Sequence, residues 1–221
     1  RDHGMVGAEA LLRWEHPQRG LVSPAEFIPV AEASGLIVPL GAWILRTACL
    51  QLVEWEKDPA TAPWTLAVNV SARQFRHPHF VDEVLGVLEE TGANPQRLKL
   101  ELTETLLLDD VEDTIERMTT LRALGLGFSL DDFGTGYSSL SYLKRLPLDI
   151  LKIDKSFIRG LPDDPHDAAI ARAIIALGRS MQLTIIAEGV ENQAQQRFLA
   201  AEGCEQIQGY IVSLPLPPEE F

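Results

Sequence analysis

Short apolar runs alternate along this chain with longer stretches in which apolar residues recur at helical spacing. Seven of the short runs read as β-strands: GAEALLRW, TLAVNVS, LKLELTE, GFSLDDF, ILKIDKSF, TIIAEGV and QIQGYIV. Amphipathic helices are predicted around 39–57, 80–91, 110–124, 167–181 and 192–202, with Gly92 and Gly203 at helix ends and a loop around Gly125–Gly127. Pro24 and Pro29 divide the segment after the first strand into a loop and a short helix. GLPDDPH at 160–166 has turn chemistry. Strands separated by helices make a parallel sheet, and a long run of such units closes into a barrel. The expected class is α/β, a TIM-like (β/α)8 barrel forming a single domain over 1–221. An eight-stranded barrel needs one strand more than the seven runs supply, and it is expected upstream of Arg1. The chain stops at Phe221 as PPEEF is ready to open a helix, so it reads as a domain excised from a larger protein.

The polar positions in these runs are what point to function. Each strand carries a metal-binding or ionisable side chain at or near its C-terminal end: Glu9, Asn69, Glu101, Asp131 (followed by Asp132), Lys152, Glu188 and Gln208. Parallel strands are mostly buried, and carboxylates are almost never buried unless paired or holding a metal. Barrel enzymes place their chemistry at the C-terminal rim of the strands. An all-oxygen donor set, without His or Cys, favours Mg²⁺ or Mn²⁺ over zinc. Adjacent aspartates can serve two ions, and paired ions roughly 3.5–4 Å apart are a recurrent solution for phosphodiester cleavage.

Composition narrows the classes. With 221 residues and 46% apolar content the chain can bury one substantial core. A net charge of −13 without a basic stripe argues against a nucleic-acid polymer as partner. No run reaches the roughly 18 apolar residues of a membrane span, and no secretory leader is visible at Arg1. The domain is expected in the cytoplasm without membrane contact of its own, alone or within a membrane-anchored protein. Cys49 and Cys204 lack CxxC spacing and read as buried fillers in a reducing compartment.

Several site residues admit two readings. Lys152 is either a structural ion pair or an ammonium beside the attacking water, offsetting transition-state charge. Glu188 either holds the second metal, directly or through water, or accepts the nucleophile's proton. Glu191 serves the substrate or is only an acid at a helix start. Arg13, of the same parity as Glu9 on the first strand, meets a phosphate oxygen or forms a surface ion pair. The stretch DDFGTGYSSLSYL matches neither P-loop nor dinucleotide-binding spacing, and Gly134 and Gly136 predict a sharply turned loop over the site. Glu104, of opposite parity to Glu101, is predicted to accept hydrogen bonds from the loop 133–139.

Taken together, EALLRW, NVSARQF, ELTE, DDFGTGYSSL, LKIDKSFI, AEGVE and QGY closely resemble the EAL domain family of bacterial cyclic di-GMP phosphodiesterases, in the family's order over nearly the whole chain. The resemblance implies a barrel with one antiparallel strand, the one expected upstream. It implies that Glu9, Asn69, Glu101 and Asp131 hold a first Mg²⁺ or Mn²⁺, and that Asp131 and Asp132 hold a second, with Glu188 and Gln208 nearby. By the same resemblance Lys152 lies near the nucleophilic water, Leu12, Arg13 and Gln74 touch the dinucleotide, and Glu104 stabilises the DDFGTG loop. The implied reaction opens cyclic di-GMP to linear pGpG by two-metal activation of water. A catalytically silent cyclic di-GMP receptor is the rival, although such members usually lose metal ligands. Homodimerisation and attached sensory or GGDEF domains are expected partners. Leu214 stands where the family often has a basic residue, and Asn192 where a threonine is common.

Overall fold

The computed structural model describes residues 4–104, 106, 110–135 and 140–221. They fall into two compact units, 1–101 with 116–127 and 102–115 with 128–221.

The first unit opens with strand β1 (Gly7–Ala10) and an antiparallel hairpin, β2 (Trp14–His16) and β3 (Gly20–Val22). The sequence reading did not foresee this hairpin, because EALLRW reads as one continuous strand. The strand ends at Ala10, and Trp14 turns away to stack edge-on against Phe27 at 5.6 Å. Helix α1 (Pro24–Ser34) also differs from expectation: Pro24 and Pro29 both lie within one 11-residue helix. Pro24 opens it, where its missing N–H costs nothing.

Helix α2 (Ile37–Trp55) buries Ile37, Gly41, Leu45, Ala48, Cys49 and Leu52, a stripe at helical spacing. By length and composition alone α2 could cross a membrane, yet this stripe packs inside the unit. Strand β4 (Thr65–Asn69) then leads through the short α3 (Ala72–Phe75) and α4 (Phe80–Thr91) to β5 (Leu98–Thr103). Strands β1 and β4 run parallel, as do β4 and β5. Alternation on β4 buries Leu66 and Val68 on one side and leaves Asn69 at the exposed strand end.

Helix α5 (Val111–Ala123) leads to β6 (Gly127–Phe133), which from Phe128 onward lies in the second unit. There α6 (Leu140–Leu143), β7 (Ile150–Ile153), α7 (Pro165–Ser180), β8 (Thr184–Ala187), α8 (Gln193–Glu202) and β9 (Gln206–Ile207) follow. The pairings β6–β7, β7–β8 and β8–β9 are all parallel. Asp164 caps α7 by accepting the His166 and Asp167 amides, at 2.7 and 3.1 Å, with Pro165 next. Asn192 and Gln195 form a reciprocal capping box on α8. An asparagine at 192 therefore does the work of a threonine cap. The core of this unit is built from Phe128, Leu130, Leu151, Ile153, Ile158, Ala171 and Ile175.

Both cysteines are free and buried, and burial pushes each thiol up to about 11. They are thiols at neutral pH and poor metal ligands, as expected of filler residues.

Candidate active site

In the first unit the predicted donors meet on adjacent strand ends. Asn69 and Glu101 are register partners across the β4–β5 ladder, and the Val70 amide extends it by donating to the Glu101 carbonyl at 3.0 Å. The Asn69 amide donates to a Glu9 carboxylate oxygen at 2.5 Å. A carbonyl oxygen and two carboxylates are thereby gathered, a hard-oxygen set suited to a divalent cation.

In the second unit Asp131 and Asp132 pose a geometric problem, since successive strand residues point to opposite faces. The backbone resolves it with a bulge. Leu130 pairs with Leu151 and Phe133 with Ile153, so three steps on β6 match two on β7. Asp132 takes the left-handed conformation, φ 54°, which aspartate tolerates better than most side chains. The result brings carboxylate oxygens of Asp131, Asp132 and Glu188 within 4.8 Å of one another.

Three carboxylates this close repel one another. Lys152, fully buried, sits 3.4 Å from Asp131 and 2.5 Å from Glu188. One ammonium cannot neutralise all three. Burial first, then the charges of Asp131 and Asp154, raise the Asp132 pKa, with Lys152 pulling the other way. This excess of hard, negatively charged oxygen is what a divalent cation relieves, so the three carboxylates could hold a metal ion.

Asp154 was missed in the sequence reading. It is buried, accepts the Ser156 amide at 3.0 Å and the Ser156 hydroxyl, and shares a hydrogen bond with Asp132. Burial opposes its charge, but these donors outweigh burial and hold its pKa below the ordinary value. Its position, two residues past Lys152 and of equal parity, was the available signal.

Glu104 is buried and accepts the Gly134 amide at 3.3 Å, across the root of the loop after β6. Residues 136–139, including Gly136, lie outside the described residues.

The remaining predicted residues are more dispersed. Arg13 lies beyond the end of β1, so strand parity does not govern it; it is exposed and donates to the Leu12 carbonyl at 2.9 Å. Gln74 is buried, with its side-chain amide against the Gly41 backbone of α2. Glu191 is exposed just before the α8 cap, and its N–H donates to the Gln195 side chain at 2.8 Å. The Gln208 amide donates to the Ala187 carbonyl at 2.8 Å, which fixes this residue beside the end of β8.

A profile of the EAL domain family matches residues 1–215. The chain is an EAL domain. It is 51% identical over 217 residues to MucR of Pseudomonas aeruginosa, a bifunctional diguanylate cyclase/cyclic di-GMP phosphodiesterase, and covers 98% of this chain but 32% of MucR. It is 46% identical over 214 residues to NbdA of the same organism, a cyclic di-GMP phosphodiesterase, covering 95% of this chain and 27% of NbdA. The solved PaMucR phosphodiesterase in complex with c-di-GMP superposes with a TM-score of 0.94 at 50% identity, over 98% of this chain and 87% of that one. The fold is thus the TIM-like α/β fold of EAL domains. The EAL domain spans about a third or less of the length of these curated relatives.

Proposed function

We propose that this EAL domain hydrolyses cyclic di-GMP to linear pGpG in a metal-dependent reaction. The observation that carries this reading is the cluster of Asp131, Asp132 and Glu188 around buried Lys152 in a chain half identical to a c-di-GMP-bound phosphodiesterase.

In this reading Glu9, Asn69 and Glu101 of the first unit would serve as donors to Mg²⁺ or Mn²⁺, and so would Asp131 and Asp132 of the second, with Glu188 and Gln208 contributing beside them. When bound, the ions supply a nucleophile at neutral pH and neutralise charge on the phosphoryl oxygens. The chain's own residues do the rest. Lys152 bridges the Asp131 and Glu188 carboxylates, screening their repulsion, and offsets charge as it develops on phosphorus. Asp154 anchors Asp132 in its left-handed conformation through their shared hydrogen bond. Glu104 ties Gly134 down and fixes the root from which both aspartates project. Leu12, Arg13, Gln74 and Glu191 are assigned to the dinucleotide, with Arg13 exposed for a phosphate.

The domain is proposed to act as one unit of a longer cytoplasmic or membrane-anchored signalling protein, with attached sensory or GGDEF domains, and as a homodimer. The experiment is incubation with cyclic di-GMP and Mg²⁺, with and without chelator, followed by chromatography. Chelator-sensitive pGpG supports the reading. Tight binding of unchanged cyclic di-GMP would instead make the domain a receptor.

A further inference from the structure

The rim of the second unit carries a feature that no catalytic role accounts for. Gly189 follows Glu188 with φ 64°, and Gly209 follows Gln208 with φ 147°, both in the region open to glycine. A Cβ on Gly209 would lie 2.4 Å from both the nitrogen and the carbonyl oxygen of Val190, and 3.0 Å from the Gly189 carbonyl carbon. A Cβ on Gly189 would lie 2.7 Å from Lys155 Cβ. Two backbone segments and the turn after Asp154 are therefore in direct contact, with no room between them for a single methyl group.

Backbone hydrogen bonds run through the same place. Glu188 N–H donates to the Ile153 carbonyl at 3.1 Å, and Gln208 N–H to the Ala187 carbonyl at 2.8 Å. Val190 N–H returns to the Gln208 carbonyl at 3.0 Å, and Ile211 N–H to the Val190 carbonyl at 3.0 Å. Ala187 and Val190 bracket Glu188, so Gln208 is bound to both sides of the segment that bears it. Ile153 lies between Lys152 and Asp154. One continuous backbone contact thus links the residues that carry Lys152, Glu188 and Gln208.

We infer that Gly189 and Gly209 are positioning residues, whose missing side chains set the spacing of Glu188 and Gln208 relative to Lys152. The inference rests on the phosphodiesterase reading, because the spacing matters only where these side chains serve a metal centre. At Gly209 the obstructing atoms are Val190 backbone and cannot yield as a flexible side chain would. At Gly189 the obstruction is the Lys155 Cβ, which a substitution can remove.

The test measures Mn²⁺ binding by electron paramagnetic resonance without substrate, alongside thermal unfolding and steady-state hydrolysis. Gly209→Ala should weaken Mn²⁺ binding and lower kcat by about 10–100-fold, the range seen when the groups orienting metal ligands are altered, with a smaller change in KM. Gly86→Ala, at a helix position with nothing within 4 Å of the added carbon, is the control. If Gly209→Ala fails to fold, Gly189→Ala decides, compared with Gly189→Ala/Lys155→Gly. Recovery of Mn²⁺ affinity in the double variant supports the inference, since general destabilisation would only deepen. Wild-type Mn²⁺ affinity in a folded Gly209→Ala, or no recovery in the double variant, overturns it. A wild type that binds no Mn²⁺ at all overturns the phosphodiesterase reading as well.

Discussion

The ammonium of Lys152, 0% exposed, lies 2.5 Å from the Glu188 carboxylate and 3.4 Å from that of Asp131. A lysine buried to this degree is retained only with partners, and here the partners are two of the three clustered carboxylates that could hold a cation. The pair is therefore part of the charge balance of the site. Removing the ammonium leaves part-buried carboxylates facing one another with less compensation.

Lys152→Met should accordingly destabilise the metal-free protein by about 3–5 kcal/mol, the cost of breaking a buried ion pair from one side. Added Mg²⁺ should restore part of that stability by replacing the lost positive charge, while turnover stays low. Unfolding curves with Mg²⁺ and with chelator check this. A metal-free stability equal to wild type would mean that the pair carries no structural charge balance.

Asp132→Asn should lose most turnover while the domain remains folded, because one carboxylate of the cluster becomes a neutral amide. Ca²⁺ should inhibit the wild type, since its longer and more flexible coordination does not reproduce the Mg²⁺ arrangement. Hydrolysis rates in Mg²⁺, Mn²⁺ and Ca²⁺ measure both effects. Undiminished turnover in Ca²⁺ alone counts against a compact site.

Glu104→Ala removes the acceptor for the Gly134 amide. A hydrogen bond to a charged group contributes roughly 1.5–3 kcal/mol, enough to shift a loop equilibrium appreciably. The variant should fold, bind Mn²⁺ more weakly and turn over more slowly. Hydrogen exchange at Gly134 should accelerate. Wild-type exchange there would show that Glu104 does not fix this segment.

A prediction away from the site concerns Glu83 on α4. Burial first raises its pKa, with His77 pulling it down, and one of its carboxylate oxygens is buried without a hydrogen-bond partner among the described residues. A carboxyl whose folded pKa exceeds its unfolded value holds its proton more tightly when folded. Stability therefore falls as pH rises through that interval, and the penalty persists at neutral pH. Glu83→Gln should raise the Tm at pH 7, and the gain should vanish below the ordinary glutamate range. Melting curves at both pH values suffice, and a Tm unchanged at pH 7 contradicts the argument.

Six of the seven strand positions were legible because a period of two and a polar strand end survive in the sequence whatever the partner strand does; QIQGYIV forms a strand only over Gln206–Ile207, and Gln208 lies just past it. Helix limits at 80–91 and 192–202 were equally readable, since Gly92 and the Asn192 cap mark them locally. What was not legible depends on pairing. The bulge that brings Asp132 round to join Asp131 exists only against β7, and nothing within GFSLDDF announces it. Arg13 was placed by extending β1, whereas the β2–β3 hairpin takes over from Trp14. Pro29 looks like a breaker, yet α1 runs through it at an exposed position. Asp154 was overlooked although its parity with Lys152 was in plain sight.

The most direct measurement is hydrolysis of cyclic di-GMP in ¹⁸O-labelled water, with the product analysed by mass spectrometry. Attack of water on one phosphorus, with departure of the 3′ oxygen, places a single ¹⁸O in the terminal phosphate of pGpG. The account predicts that singly labelled product with Mg²⁺ or Mn²⁺, its loss with chelator, and its near absence from Asp132→Asn. Cyclic di-GMP recovered intact from the wild type in Mn²⁺, or pGpG formed equally well with chelator present, would contradict it.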